Sequence, residues 1–140
     1  MRSRHRQANK IKLTALVSDE IALVISAAVL SVWIGFLLWA SLSSHLPSVP
    51  RVLAWDKLQH FSAYAVLMYL SGHFFRLLFK KQLKGWLIGF IFTVGFGLLM
   101  EIGQETLSSS RYADWKDFSA NSLGAGLILA FALLKKEKRT

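Results

Sequence analysis

Long apolar runs, parted by short stretches rich in charge, proline and serine, dominate the chain from residue 21 to residue 134. The first run, residues 21–42, holds no charged residue and is long enough to cross a hydrocarbon core about 30 Å thick, which takes about 20 apolar residues. A cleaved signal peptide is the competing reading, but Leu38-Trp39-Ala40 is a poor small-x-small cleavage site. The second run, 58–78, carries Gln59, His60, Ser62 and His73 among Phe, Leu, Tyr and Val, so it reads as a span whose polar residues turn inward. The third, 86–102, belongs to a glycine-rich segment in which Gly85, Gly89, Gly95 and Gly97 would let neighbouring helices come close. The fourth, 118–134, includes Asn121, Gly124 and Gly126 and is stopped by Lys135 and Lys136. Pro47 and Pro50 in the first connector, and Ser108, Ser109 and Ser110 in the third, predict irregular links. The pattern predicts an all-α fold: a four-helix transmembrane bundle with short connectors.

Composition agrees with a membrane class, for 54% of the 140 residues are hydrophobic and the mean hydropathy is +0.41. No room is left for a separate soluble domain. A net charge of +9 would suggest nucleic acid in a soluble protein, but here the cations lie in blocks between apolar runs, which is how topology signals are arranged. Nucleic acid is therefore excluded as the expected partner, and membrane lipids take its place. Of the 17 Lys and Arg, thirteen fall in the N-terminal segment 1–20, in or beside the middle connector (Arg76, Lys80, Lys81 and Lys84) and in the tail 135–140, against four in the first and third connectors. The positive-inside rule then puts both termini in the cytoplasm and the first and third connectors outside. Cysteine is absent, which removes disulfides and thiolate metal sites. No cofactor motif or familiar metal-ligand spacing is present, so neither a cofactor nor a metal is expected.

The eight acids sharpen the picture, because five of them, Asp56, Glu101, Glu105, Asp114 and Asp117, lie in or beside the two outward connectors. Asp56, His60 and Tyr64 recur every four residues and form one stripe at the start of the second helix, with Lys57 beside it. Glu101 and Gln104 are three apart at the end of the third. Asp117, Asn121 and Gly124 line the start of the fourth, with Arg111 and Asp114 just before it. Taken singly, such residues are interfacial anchors or caps, and Asp117 reads as a helix N-cap. Taken together they predict a hydrogen-bonded cluster at the outer membrane level, since ionisable groups within a bilayer must face one another or water. Trp39, Trp55, Trp86, Trp115 and Tyr112 lie near span ends, as an aromatic belt does.

These residues resemble the VanZ-like family of membrane proteins, named for a teicoplanin-resistance accessory protein. Asp56-Lys57-Leu58-Gln59-His60-Phe61, then Tyr64 and Leu67, is similar to that family's D-K-x-x-H-F-x-x-Y-x-x-L segment. Glu101 and Gln104, followed by Arg111, Asp114, Asp117, Asn121 and Gly124, resemble its E-x-x-Q and R-x-x-D-x-x-D-x-x-x-N-x-x-G block. The resemblance covers residues from about 30 to 134. The chain departs from it between Gln104 and Arg111, where Glu105-Thr106-Leu107-Ser108-Ser109-Ser110 replaces a segment that often holds a proline or an aromatic residue. The resemblance implies a bacterial plasma-membrane protein with a role in the envelope and a link to glycopeptide susceptibility.

Three functional classes follow. In the first, an outward pocket binds lipid-linked or glycopeptide-type ligands, that is, anionic or glycan-bearing lipid head groups. Lys57, His60 and Arg111 would meet the anion, while Glu101, Gln104, Asp114, Asp117 and Asn121 orient the cations and accept hydroxyl protons. The second is a membrane-embedded hydrolase or transferase acting on lipid-linked precursors, with His60 as general base and Asp114 and Asp117 as a seat for a divalent ion. No H-E-x-x-H helix or G-x-S-x-G elbow supports it. The third is a small transport or interaction subunit in which intramembrane ionisable groups relay protons or hold a partner helix.

Overall fold

A computed structural model describes residues 2–42, 56–107 and 114–137. The described residues form four helices: α1 (Arg2–Leu42), α2 (Asp56–Phe79), α3 (Gln82–Leu107) and α4 (Trp115–Glu137). Each contains one of the four apolar runs and extends past it, because helical hydrogen bonding continues until a cap or breaker ends it, whereas hydropathy marks only the part suited to hydrocarbon. The excess is largest in α1, whose 41 residues would measure about 61 Å at 1.5 Å each. Its apolar part, Leu16–Ser41, is the C-terminal portion, so most of the basic segment 1–20 is a helical continuation of the span. Likewise α4 carries Lys135 and Lys136 of the basic tail inside the helix. The prolines and serines of the first and third connectors, with Arg111 and Tyr112, lie outside the described residues.

Three helices are long and apolar enough to cross a membrane: α1 over Leu16–Ser41, α3 over Gln82–Thr106 and α4 over Trp115–Lys135. The polar exception, α2, has 24 residues, about 36 Å, and packs against each of the other three. A helix sheltered by protein on several sides does not need the apolar surface of one that faces lipid. Large apolar side chains on α1, among them Val24, Val32 and Trp39, are by contrast exposed on the chain's own surface, as are Ile91 and Leu99 on α3 and Leu123 and Phe131 on α4. In a bilayer these faces meet acyl chains.

The core has two parts that share α2. Leu30 and Leu37 of α1 pack with Tyr64 and Leu67, flanked by Trp33, Phe92 and Phe96. Met68 packs with Trp86 and Ala125, flanked by Phe90, Val94 and Ile128. Glycines set the helix separations. A methyl group on Gly89 would lie 2.6 Å from the Gly72 Cα, and one on Gly124 would collide with the Phe61 carbonyl oxygen, so α3 and α4 each meet α2 backbone to backbone. Gly85 and Gly97 also face neighbouring atoms, but Gly95 has nothing within 4 Å of its Cβ position. The expectation that it too serves close packing is corrected: it lies on the exposed side of α3.

The order of ends follows from the contacts. Gln104 near the end of α3 donates to the Ser41 carbonyl near the end of α1, and Lys57 at the start of α2 pairs with Asp114 and Asp117 at the start of α4. At the opposite end, a cleft of about 420 Å³ is lined by Leu16, Asp19 and Glu20 of α1 and by Arg76, Lys80 and Gln82 around the α2–α3 turn. The helices therefore alternate in direction, and α1 begins at the end of the bundle where α4 finishes.

Candidate functional site

Where α2 and α4 begin and α3 approaches its end, the polar stripes meet. Asp114 is the N-cap of α4. Its Oδ1 accepts the Lys116 N–H at 2.9 Å, and its carbonyl accepts the Asp117 N–H at 2.8 Å. The expectation that Asp117 caps the helix is corrected, because the chain turns three residues earlier. This frees Asp117, inside the first turn and 8% exposed, to face α2. Glu101, buried on α3, accepts the Asp114 backbone N–H at 3.0 Å and so ties the start of α4 to the end of α3.

Lys57 is the hub. Its ammonium has three donors. They meet Asp114 Oδ2 at 2.8 Å, Asp56 Oδ2 at 3.3 Å and, closest of all, Asp117 Oδ1. The ammonium expected to greet an anionic ligand is thus surrounded by carboxylates of its own chain. The Lys57 ion pair, aided by the Lys116 amide, holds the Asp114 carboxyl below the usual carboxylate range.

One turn along α2, His60 takes the other face of the same carboxylates. Its Nε2 lies 3.6 Å from Asp56 Oδ1 and 3.6 Å from Asp117 Oδ2, the oxygens that Lys57 leaves open. Its Nδ1 faces Asn121 Oδ1 at 3.2 Å. Asn121 is 1% exposed, and its Nδ2 has no partner.

The structure therefore unites Asp56, Lys57, His60, Asp114, Asp117 and Asn121 in one network, with Glu101 joined to it through the Asp114 amide. Tyr64 borders the network, facing the Gly97 position together with the Asn121 side chain, and Gln104 turns to α1. Tyr64 packs in the apolar core beside Phe96, their ring centroids 6.3 Å apart, and Gln104 braces α3 against α1. Glu105 is exposed on the last turns of α3. Arg111 falls among the residues outside the description. His73 meets Arg76 Nη2 at 3.1 Å, far from the site along α2.

A second polar contact escapes the sequence reading. The Ser71 and Thr93 hydroxyls meet at 3.0 Å with both residues wholly buried, and Ser71 reaches the Gly89 carbonyl at 3.3 Å. Its signal was the company of glycine: Ser71 adjoins Gly72, and Thr93 lies one turn from Gly89. The small residues bring the backbones together, and the hydroxyls bond across the gap.

Chemically, the described network holds three carboxylates against one ammonium and one imidazole, with Asp56 and Asp114 as its most exposed members. It is rich in acceptors and carries surplus negative charge, so it suits hydroxyl donors and cations. Comparison of the chain with protein-family models, with curated proteins and with solved structures finds no match.

Proposed function

We propose that this chain is a VanZ-like protein of the bacterial plasma membrane, with both termini cytoplasmic, that binds a lipid-linked or glycopeptide-type ligand at the outward junction of α2, α3 and α4. One observation carries the reading: Asp56, Lys57, His60, Asp114, Asp117 and Asn121, drawn from two helices, converge at the end of the bundle that bears few lysines and arginines. The surplus of acceptors favours the hydroxyl groups of a glycan over a bare phosphate. Asp56, which meets Lys57 through Oδ2 alone, and Asp114, whose side chain remains 41% exposed with further lone pairs on its two bonded oxygens, present carboxylate to such hydroxyls, while Lys57 and Asp117 hold the frame. An influence on glycopeptide (teicoplanin) susceptibility is the cellular consequence that the family resemblance implies.

The test is native mass spectrometry of the detergent-released protein with added undecaprenyl-linked saccharide. Saturable binding that weakens at least about tenfold in Asp114→Ala, a loss of about 1.4 kcal/mol, is the expected result. A wild-type protein that takes up no such lipid would refute the reading.

The second reading is a membrane-embedded hydrolase or transferase acting on lipid-linked precursors. An imidazole set between two carboxylates and steadied by an amide is a general-base arrangement, and this favours it. Release of product by the wild type, abolished in His60→Gln, would establish it; binding without turnover would remove it.

A further inference from the structure

The free lone pairs of the α2–α4 network converge. His60 Nδ1 faces Asn121 Oδ1 at 3.2 Å, and Nε2 lies 3.6 Å from both Asp56 Oδ1 and Asp117 Oδ2; in the tautomer that donates from Nδ1 to the amide oxygen, the Nε2 lone pair points towards both carboxylates. Three acceptor atoms, one on each residue, lie within 4.8 Å of one another. We propose that Asp56, His60 and Asp117 form a binding site for a divalent cation of the zinc class, with one nitrogen and two carboxylate oxygens from the protein and the remaining position open to water or a ligand.

The spacing fits. A tetrahedral ion with bonds of about 2.0 to 2.1 Å has ligand atoms about 3.4 Å apart. Two edges of the triangle, Nε2 to each carboxylate, already measure 3.6 Å. Only the Asp56–Asp117 edge has to close, and Asp56, 61% exposed at the start of α2, is free to move. Lys57 strengthens the case, since it takes Asp56 Oδ2 and Asp117 Oδ1 and so aims the opposite oxygens at the imidazole.

Asn121 supplies an independent argument. A histidine that ligates metal almost always donates its other ring N–H to a fixed acceptor, which sets the tautomer. Here that acceptor is a buried amide whose own Nδ2 goes unpaired, a costly residue to keep between helices. Orienting His60 is the bond that it makes in return. Mixed imidazole and carboxylate ligation suits zinc and its neighbours better than magnesium or calcium. The ligand set differs from the Asp114–Asp117 pair that the sequence suggested for a divalent ion, because Asp114 is occupied as cap and lysine partner. The site does not depend on the identity of any head group.

The experiment titrates untagged, detergent-purified protein with Zn²⁺ alone by calorimetry, and measures retained zinc after desalting. One equivalent is expected in the wild type. Asp117→Asn and His60→Ala should lose saturable uptake, while Asn121→Ala weakens it about 10- to 100-fold. If a buried substitution prevents folding, Asp56→Asn decides, since that residue is exposed and its variant keeps the helical circular dichroism spectrum. Wild-type protein that takes up less than one equivalent, or uptake unchanged in folded Asp56→Asn, would overturn the site.

Discussion

A single aspartate can cap a helix, pair with a lysine and donate its backbone N–H to a carboxylate of another helix; Asp114 does all three. Its depressed pKa gives a pH signature. A carboxyl whose folded pKa lies below its unfolded value of about 3.9 contributes stability above that value and loses it as pH falls through the folded pKa. The thermal midpoint of the wild type in detergent should therefore drop on acidification below about pH 3.9, and Asp114→Asn should start lower and show less of that drop. Circular dichroism melts between pH 7 and pH 3 check this; equal acid sensitivity in the two proteins would contradict it. The sequence made Asp114 and Asp117 visible as a pair but not their roles. An aspartate before an apolar run satisfies the N-cap pattern at either position, and only the place where the chain turns decides between them.

At the scale of the element, the glycines divide by what their missing side chains would meet. Gly124→Ala pushes a methyl into the Phe61 backbone, so α4 must shift away from α2 at a cost of about 1 to 3 kcal/mol. Gly95→Ala meets nothing within 4 Å and gains helix propensity, an effect of at most about 1 kcal/mol in the stabilising direction. Thermal midpoints of the two variants in one detergent should fall on opposite sides of the wild type. Hydropathy located all four helices and underestimated the length of each. It also named Gly95 alongside Gly89, because glycine content alone does not say which way a position points. Helix α2 shows the converse. Its polar residues made it the weakest span in the sequence, and its shelter among three neighbours explains how such a helix is accommodated. The stripe of Asp56, His60 and Tyr64 was right about periodicity and divided in outcome, since Tyr64 lies a turn deeper, where its ring packs with Leu30, Leu37 and Leu67.

For the molecule as a whole, alternating helices put the start of α1 and the end of α4 at one end and the ion network at the other. Which end faces the cytoplasm rests on the distribution of Lys and Arg. The natural absence of cysteine makes the question easy to ask. Trp115→Cys, at an exposed position beside the network, should react with a membrane-impermeant maleimide on intact spheroplasts, and Lys81→Cys at the α2–α3 turn should react only after lysis. The reverse pattern would turn the proposed site towards the cytoplasm.

Among the described residues α1 touches α2 and α3 but not α4, so the bundle is not a closed ring. The ion network joins the starts of α2 and α4, on a pair of helices of which α1 touches only α2. For a ligand that keeps its acyl tail in the leaflet, arrival becomes a search in two dimensions. Occupancy is then governed by the mole fraction of that lipid in the membrane rather than by its concentration in the surrounding fluid. If the proposed lipid-linked ligand binds at the network, a sparse precursor saturates the site without ever being dissolved, and the composition of the leaflet alone regulates it.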